Sequence, residues 1–254
     1  MKWVRARQAS REIFGTLEGE RVLVHAGDML ADATPTGESL ALADLVFLPP
    51  VRPGKFIGLW NNFHAAAAKN GWAIPAEPLY FLKGPNALAA HQSEIAMPGE
   101  DIGRIFYEGE LGIVVGRAAK AATPEQAAAT IFGYTCVNDV TAFELLTRDT
   151  SFAQWTRAKS FDGFGPLGPV VATDLDAQSL VVRTRVNGRE RQNYPVADMI
   201  FSPASLVERL SLDMTLEPGD VIACGTSLGA LPVKAGTLVE IEIDGIGVLA
   251  NRFV

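Results

Sequence analysis

Cysteine is scarce in this chain: Cys136 and Cys224 are the only two among 254 residues, and both sit in apolar, strand-like surroundings, YTCVND and VIACGT. That supply argues against a disulfide framework and fits two buried thiols in a reducing cytoplasm. Basic side chains are also few. Lys and Arg number 22 against 29 Asp and Glu, and the formal charge is −7. No basic excess exists to neutralise phosphates, so no nucleic-acid partner is expected. Long apolar runs are missing too, and no segment is expected to span a bilayer. The N-terminal MKWVRARQASREIFG carries positive charge with no apolar stretch behind it, so no signal peptide is expected. Internal repeats are absent, and the alanine cluster in NNFHAAAAKN is the nearest approach to low complexity. What is present is 48% hydrophobic residues, enough for one sizeable core or a core with a small appended domain.

The segment Trp3–Asp28 alternates in strand fashion, with turn signals in GTLEGE and HAGD. LPPVRPGK, Leu48–Lys55, holds three prolines and a glycine. It divides the chain into a small β-rich piece, residues 1–50, and a main domain, residues 51–254. There FIGLW and PLYFLKG read as strands. NNFHAAAAKN reads as a short helix ending near Asn70–Gly71, and TPEQAAAT as a helix opened by Thr123 and a proline. Asn187–Gly188 is expected to turn a hairpin. PASLVERLSLDM is the best amphipathic pattern, with Leu206, Val207, Leu210 and Met214 at helical spacing. The tail is strand-rich. The fold class that follows is α+β, dominated by mixed β-structure with a few short helices.

Two glycine patterns mimic nucleotide sites. GFGPLG, Gly163–Gly168, spells G-x-G-x-x-G, and Gly245, Gly247 and Ala250 spell a looser version. A dinucleotide motif must open a helix. Pro166 and Pro169 forbid one after the first, and the second has four residues left. Both are expected to be turns. GTSLG, Gly225–Gly229, lacks the lysine of a phosphate-binding loop.

The chemistry gathers elsewhere. In YEGELGIVVGR, Glu108 and Glu110 are two residues apart, so an extended strand points both to one face. The strand continues as LGIVVG without polar alternation, which suggests burial on both faces. A third carboxylate, Asp139, ends the apolar strand GYTCVND. Lys159 lies in WTRAKSFDGFGP, followed by a turn. Buried like charges require a cation, and three oxygen donors without His or Cys suit a hard ion such as Mg2+ or Mn2+, with open positions for water or substrate. Lys83, in an apolar strand, is a second unusual cation. His91 reads as a loop residue satisfying backbone groups and His25 as a surface residue. Asp162 reads as an orienter of Lys159 or a turn cap, and Trp60, Trp155 and Phe161 as pocket wall or core.

In order and spacing, YEGELGIVVGR, GYTCVND, AKSFDGFGPLGPVV and LEPGDVIACGT resemble the successive signatures of the fumarylacetoacetate hydrolase family, from about Phe56 to the C-terminus. PLYFLKGPNAL, NGRERQ and GIGVLANRFV further resemble the branch that isomerises and decarboxylates dicarboxylates from homoprotocatechuate cleavage. The resemblance implies a mixed β-sheet roll as the catalytic domain. It implies Glu108, Glu110 and Asp139 as metal ligands, Lys159 as the catalytic lysine, Lys83 and Thr226 as substrate-binding, and His64 on a mobile lid. It also implies a homodimer. The chain departs from the family in having Ala67 where many members carry a glutamate that pairs with the histidine. Phe143 replaces a common arginine, and Ser227 replaces the usual proline.

The expected function is a cytoplasmic, magnesium-dependent isomerase or decarboxylase of a 2-oxo or 2-hydroxy-dienoic dicarboxylate in aromatic catabolism, working through a metal-stabilised enolate. Ala67 weighs against hydrolysis, because attacking water needs a base. Two alternatives stand beside this reading: an acylpyruvate-type C–C hydrolase, and a metal-binding protein that has lost catalysis.

Overall fold

The alternating N-terminal stretch forms three antiparallel strands, Lys2–Gln8, Arg11–Glu18 and Arg21–Ala26, in a computed structural model that describes residues 1–254. A fourth strand, Thr34–Ala41, follows the third. This meander does not close on itself. Lys2 and Trp3 pair with Ala172 and Val171 of the strand Gly165–Ala172, so the small N-terminal piece extends the main sheet.

From Gly165–Ala172 the sheet runs on through Ile131–Asn138, Gly109–Val115, Val221–Ala223, Phe56–Trp60 and the edge strand Leu79–Lys83. Along this path only Val221–Ala223 and Phe56–Trp60 run parallel. A five-stranded sheet, Arg189–Pro195, Val181–Val186, Leu238–Ile243, Gly247–Phe253 and Glu94–Ile95, packs against it. Three short strands, Thr141–Ala142, Ile105–Phe106 and Pro232–Val233, form a separate small sheet. The fold is thus β-dominated with mixed sheets and few helices.

All seven residues of Gly109–Val115 are buried. Leu111, Ile113 and Val115 enter the larger apolar cluster with Val182, Ile241 and Leu249 of the five-stranded sheet, whereas Val114 joins Val137, Val171 and Val221 in a smaller one. Side chains alternate along a strand, so Glu110 shares the face of Val114, away from the five-stranded sheet. Between them lies Gly112, where a Cβ would come within 2.6 Å of Val137 Cγ2.

Four α-helices decorate the sheets. α1 is His64–Asn70, ended by Gly71 in the left-handed region at φ 68°, as the Asn70–Gly71 signal predicts. α2 is Pro124–Thr130, with Thr123 and Gln126 exchanging bonds in a capping box. α3, Trp155–Lys159, spans five residues, too few to show a helical period in the sequence. α4, Pro203–Asp213, buries Leu206, Val207 and Leu210, while Met214 falls just beyond its end in extended backbone. Asn187 and Gly188, both at positive φ (48° and 77°), turn the expected hairpin. GFGPLG is a turn only at its start, because Gly165 onward is strand, paired with Leu88–Ala89 at Gly165 and Pro166 and with Ile131–Asn138 at Leu167 and Gly168. Both cysteines are free and buried. No helix is long and apolar enough to cross a membrane.

Candidate metal centre and its cleft

Antiparallel pairing sets Gly109 opposite Asn138, and the Asp139 amide donates to the Glu108 carbonyl at 2.9 Å. The carboxylates of Glu108, Glu110 and Asp139 are thereby gathered so that one oxygen from each lies within 4.8 Å of the others. Glu110 and Asp139 side chains are fully buried and Glu108 is half-buried, facing the cleft.

Two lysines close the group. Lys159, the last residue of α3, donates to Glu108 Oε2 at 2.8 Å and to Asp139 Oδ2 at 2.5 Å. Lys83, the last residue of its strand, donates to Asp139 Oδ1 at 2.5 Å and to the Val140 carbonyl at 3.4 Å. Thr141 Oγ1 donates to Glu108 Oε1 at 2.8 Å, and the Gly225 amide to Glu110 Oε2 at 2.8 Å. Glu110 Oε1 is buried and has no partner.

Three carboxylates against two ammonium groups leave excess negative charge in a buried place. Burial, reinforced by Asp139 and Glu108, holds Glu110 well above its ordinary value. Burial also raises Glu108, more than Lys159 lowers it. Burial would raise Asp139, but Lys159 and Lys83 outweigh it and keep this carboxyl below its usual range. Burial pushes Lys83 down, whereas for Lys159 the charges of Asp139, Glu108 and Glu110 overcome burial and hold it above the ordinary ammonium value. Without a cation, the uncompensated repulsion within the cluster bears most heavily on Glu110. An all-oxygen donor set with an unpartnered buried carboxylate oxygen fits a hard divalent ion.

The centre opens through Glu108 and Lys159 into a cleft of about 340 Å³ walled by Trp60, Phe81, Phe106, Phe143 and Trp155. Phe81 and Trp155 stack with centroids 5.2 Å apart, and the Lys159 ammonium lies 5.0 Å from the Phe81 centroid. A more open groove outside, along Pro78–Phe81, has no charged lining, so the chemistry belongs to the cleft.

The other expected site residues fall at different depths. Thr226 lines the cleft, its hydroxyl donating to the Gly109 carbonyl at 3.0 Å and accepting from Gln192 Nε2 at 2.8 Å. Lys83 stands behind Asp139 and does not line the cleft. His64, first residue of α1, is exposed and makes no side-chain hydrogen bond; Ala66 and Asn70 of that helix line the cleft. His91 accepts from the Ala250 amide at 3.0 Å, matching its loop reading, and half-buried His25 packs on Trp3.

Several supporting groups escaped the sequence reading. Asn138 Oδ1 accepts from the Glu108 amide at 3.1 Å. Gln192 Oε1 accepts from the Gly109 amide at 3.0 Å and from Thr184 Oγ1 at 2.9 Å. Tyr194 donates to the Gly109 carbonyl. Asn138 stands beside Asp139 in VND and Thr141 two residues past it, the only local signals available; Gln192 is 83 residues from Gly109 and carries none.

The family model described as "Fumarylacetoacetate (FAA) hydrolase C-terminal" matches residues 55–254, and one described as "Rv2993c-like, N-terminal" matches residues 1–50. An uncharacterized protein of Archaeoglobus fulgidus is 42% identical, over 86% of each chain. An oxaloacetate tautomerase of Bacillus subtilis is 35% identical over 92% of this chain and 83% of its own length. A 4-hydroxyphenylacetate degradation bifunctional isomerase/decarboxylase of Salmonella dublin is 34% identical over 92% of this chain and 57% of its own length. Among solved structures, 5-carboxymethyl-2-hydroxymuconate delta-isomerase from Mycobacterium smegmatis superposes with a TM-score of 0.92 at 36% identity, covering 100% of this chain and 99% of that one. The 2-hydroxyhepta-2,4-diene-1,7-dioate isomerase from Mycobacterium marinum gives 0.91 at 36%, covering 100% and 98%.

Proposed function

The chain belongs to the fumarylacetoacetate hydrolase family, and on that premise we propose that it is a magnesium- or manganese-dependent isomerase or decarboxylase of a small 2-oxo dicarboxylate. The observation that carries the reading is Glu110 Oε1, buried and unpartnered beside two further carboxylates, one of which, Glu108, lines an aromatic cleft. The tautomerase and isomerase/decarboxylase relatives support the reaction class.

Glu108, Glu110 and Asp139 would hold the cation, which when bound supplies Lewis-acid stabilisation of negative charge on the 2-oxo oxygen. Lys159 is the catalytic lysine. Protonated and fixed by two carboxylates, it places positive charge and a proton donor beside the position where charge grows as CO2 or a C3 proton leaves. Lys83 anchors Asp139 from behind; its substrate-binding role would be indirect. Thr226 would bind substrate oxygen from the cleft wall by turning its hydroxyl proton from the Gly109 carbonyl. Trp60, Phe81 and Trp155 exclude water, and His64 closes over the cleft as α1 moves. Residues 51–254 carry this chemistry and residues 1–50 form the small appended domain.

Isomerisation and decarboxylation need no attacking water, and no carboxylate bonds to the His64 side chain to make it a base; Ala67 is buried apolar lining of α1. A homodimer is supported by the edge strand Leu79–Lys83, whose Leu79 and Leu82 are 41% and 44% exposed beside Ile74 at 52%. The cytoplasm and the catabolism of aromatic compounds are the setting this reading implies.

The test is a panel of 2-oxo dicarboxylates given to metal-stripped protein with and without Mg2+ or Mn2+, following CO2 and ultraviolet absorbance. CO2 release or a keto–enol spectral shift that requires metal supports the reading. A pair of acids as products would make the protein a C–C hydrolase, and full activity without metal would overturn the mechanism.

A further inference from the structure

Four residues before Glu108 on the same segment stands Arg104. Ile105 and Tyr107 are each 1% exposed, whereas Arg104 is exposed and Phe106 and Glu108 half-buried, the alternation of an extended chain with one face turned outward. Phe106 and Glu108 both line the cleft. The Arg104 guanidinium carbon lies 5.5 Å from the Phe106 centroid and 5.7 Å from that of Phe143, the second aromatic ring at this end of the cleft. The Arg104 guanidinium thus sits against two wall rings at the rim, outside the cleft lining itself, while Glu108 and Lys159 line the cleft.

We propose that Arg104 is a specificity-determining residue that receives the second carboxylate of the substrate. The assignment rests on the reading of the site as one for 2-oxo acids. Glu144 takes the backbone amide of Arg104 at 2.6 Å and its Nε at 2.5 Å. Neither terminal nitrogen of the guanidinium has a partner in the chain, and the side chain is 60% exposed. A guanidinium held by Nε keeps its other edge, the two terminal nitrogens, in the fork geometry that accepts a carboxylate with two parallel bonds. The two rings beneath hold the plane still, which lowers the ordering cost of that contact. Lys159 is the only cation that lines the cleft, and it is already bound to two carboxylates. A second substrate carboxylate that reaches the Phe106–Phe143 end of the cleft meets the Arg104 guanidinium there. Four residues of extended chain span at most about 14 Å, and the arginine side chain shortens that gap. The acid that bridges floor and rim is thus one of a few carbons.

The test compares 2-oxoadipate with 2-oxohexanoate, in which a methyl replaces the distal carboxylate, using the Mn2+-loaded protein. Tryptophan fluorescence reports binding, since Trp60 and Trp155 wall the cleft. The native protein is expected to bind 2-oxoadipate about tenfold more tightly. Arg104→Met should bring the ratio of the two affinities near one, and Arg104→Lys should leave an intermediate ratio, because a point charge replaces the fork. A merely structural role would weaken both acids and leave their ratio unchanged. Equal binding of both acids by the native protein, or an unchanged ratio in Arg104→Met, would overturn the assignment while leaving the proposed function standing. Failure of both acids to bind would remove the proposed function and this assignment with it.

Discussion

The Gly225 amide meets Glu110 Oε2 at 2.8 Å, and this single bond is all that the buried Glu110 carboxylate receives, because its other oxygen has no partner. The carboxylate is held as a ligand would be, at the cost of stability when no cation is present. Glu110→Gln should therefore raise the melting temperature of the metal-free protein, since it removes a charge that burial and two neighbouring carboxylates disfavour. It should lower Mg2+ or Mn2+ affinity by about 100-fold or more, by analogy with the losses seen even for supporting groups of metal sites. Metal-dependent activity should disappear with it. Thermal scans with and without metal check both halves, and a variant that still gains stability from metal would remove Glu110 from the ligand set.

Metal binding should release protons. Glu110 and Glu108 sit above their ordinary values chiefly through burial, and a cation displaces whatever proton they keep. A carboxyl whose folded value is raised contributes stability that is fully present below its unfolded value and is lost as pH rises through the folded one. The metal-free protein should thus lose stability from weakly acidic toward higher pH, and saturating Mg2+ should flatten that decline. Calorimetric titrations in two buffers of different ionisation enthalpy measure the proton count directly; a count of zero contradicts the linkage.

Lys83→Met removes one of the two ammonium groups that hold Asp139 in place. Because both partners of this pair are fully buried, the expected cost is about 3 kcal/mol in the metal-free protein, read from urea unfolding. Lys159→Met should differ in kind. It sits on the cleft floor, so turnover should be lost while metal still stabilises the fold.

Gly109 separates the two glutamates, and a Cβ there would come within 2.1 Å of Thr184 Oγ1 and 3.1 Å of Gln192 Oε1. Gly109→Ala should cost about 1–3 kcal/mol as an overpacked site and weaken metal binding, since Gln192 holds the backbone between the two glutamates. Unchanged metal affinity in a destabilised variant would show that this support is dispensable.

Both thiols should resist alkylation in the folded state. Burial lifts Cys136 to about 12 and Cys224 well above its ordinary value, and only thiolate reacts. Iodoacetamide labelling followed by mass measurement should find no modified cysteine in native protein and two in denaturant.

The carboxylate cluster was legible because strand geometry has a period of two. Glu108 and Glu110 had to share a face, and Asp139 ended a strand that needed an apolar neighbour. Helix ends were legible where the cap chemistry is local, at Gly71 and Thr123. Long-range pairing was not. Nothing near Lys83 says that its ammonium reaches Asp139, 56 residues away, and α3 is too short to show a period. Nor does the proline-rich segment before Lys55 reveal that the strands on its N-terminal side join a strand near residue 170.

That junction has a consequence for how the molecule can be divided. Lys2 and Trp3 cover the Val171–Ala172 end of Gly165–Ala172, an end that a shortened chain starting at residue 51 would leave bare. A raw sheet edge of this kind invites pairing with other molecules. The N-terminal meander therefore covers an edge open to intermolecular strand addition, and a chain cut at the prolines is expected to self-associate through that edge, as the whole chain does not.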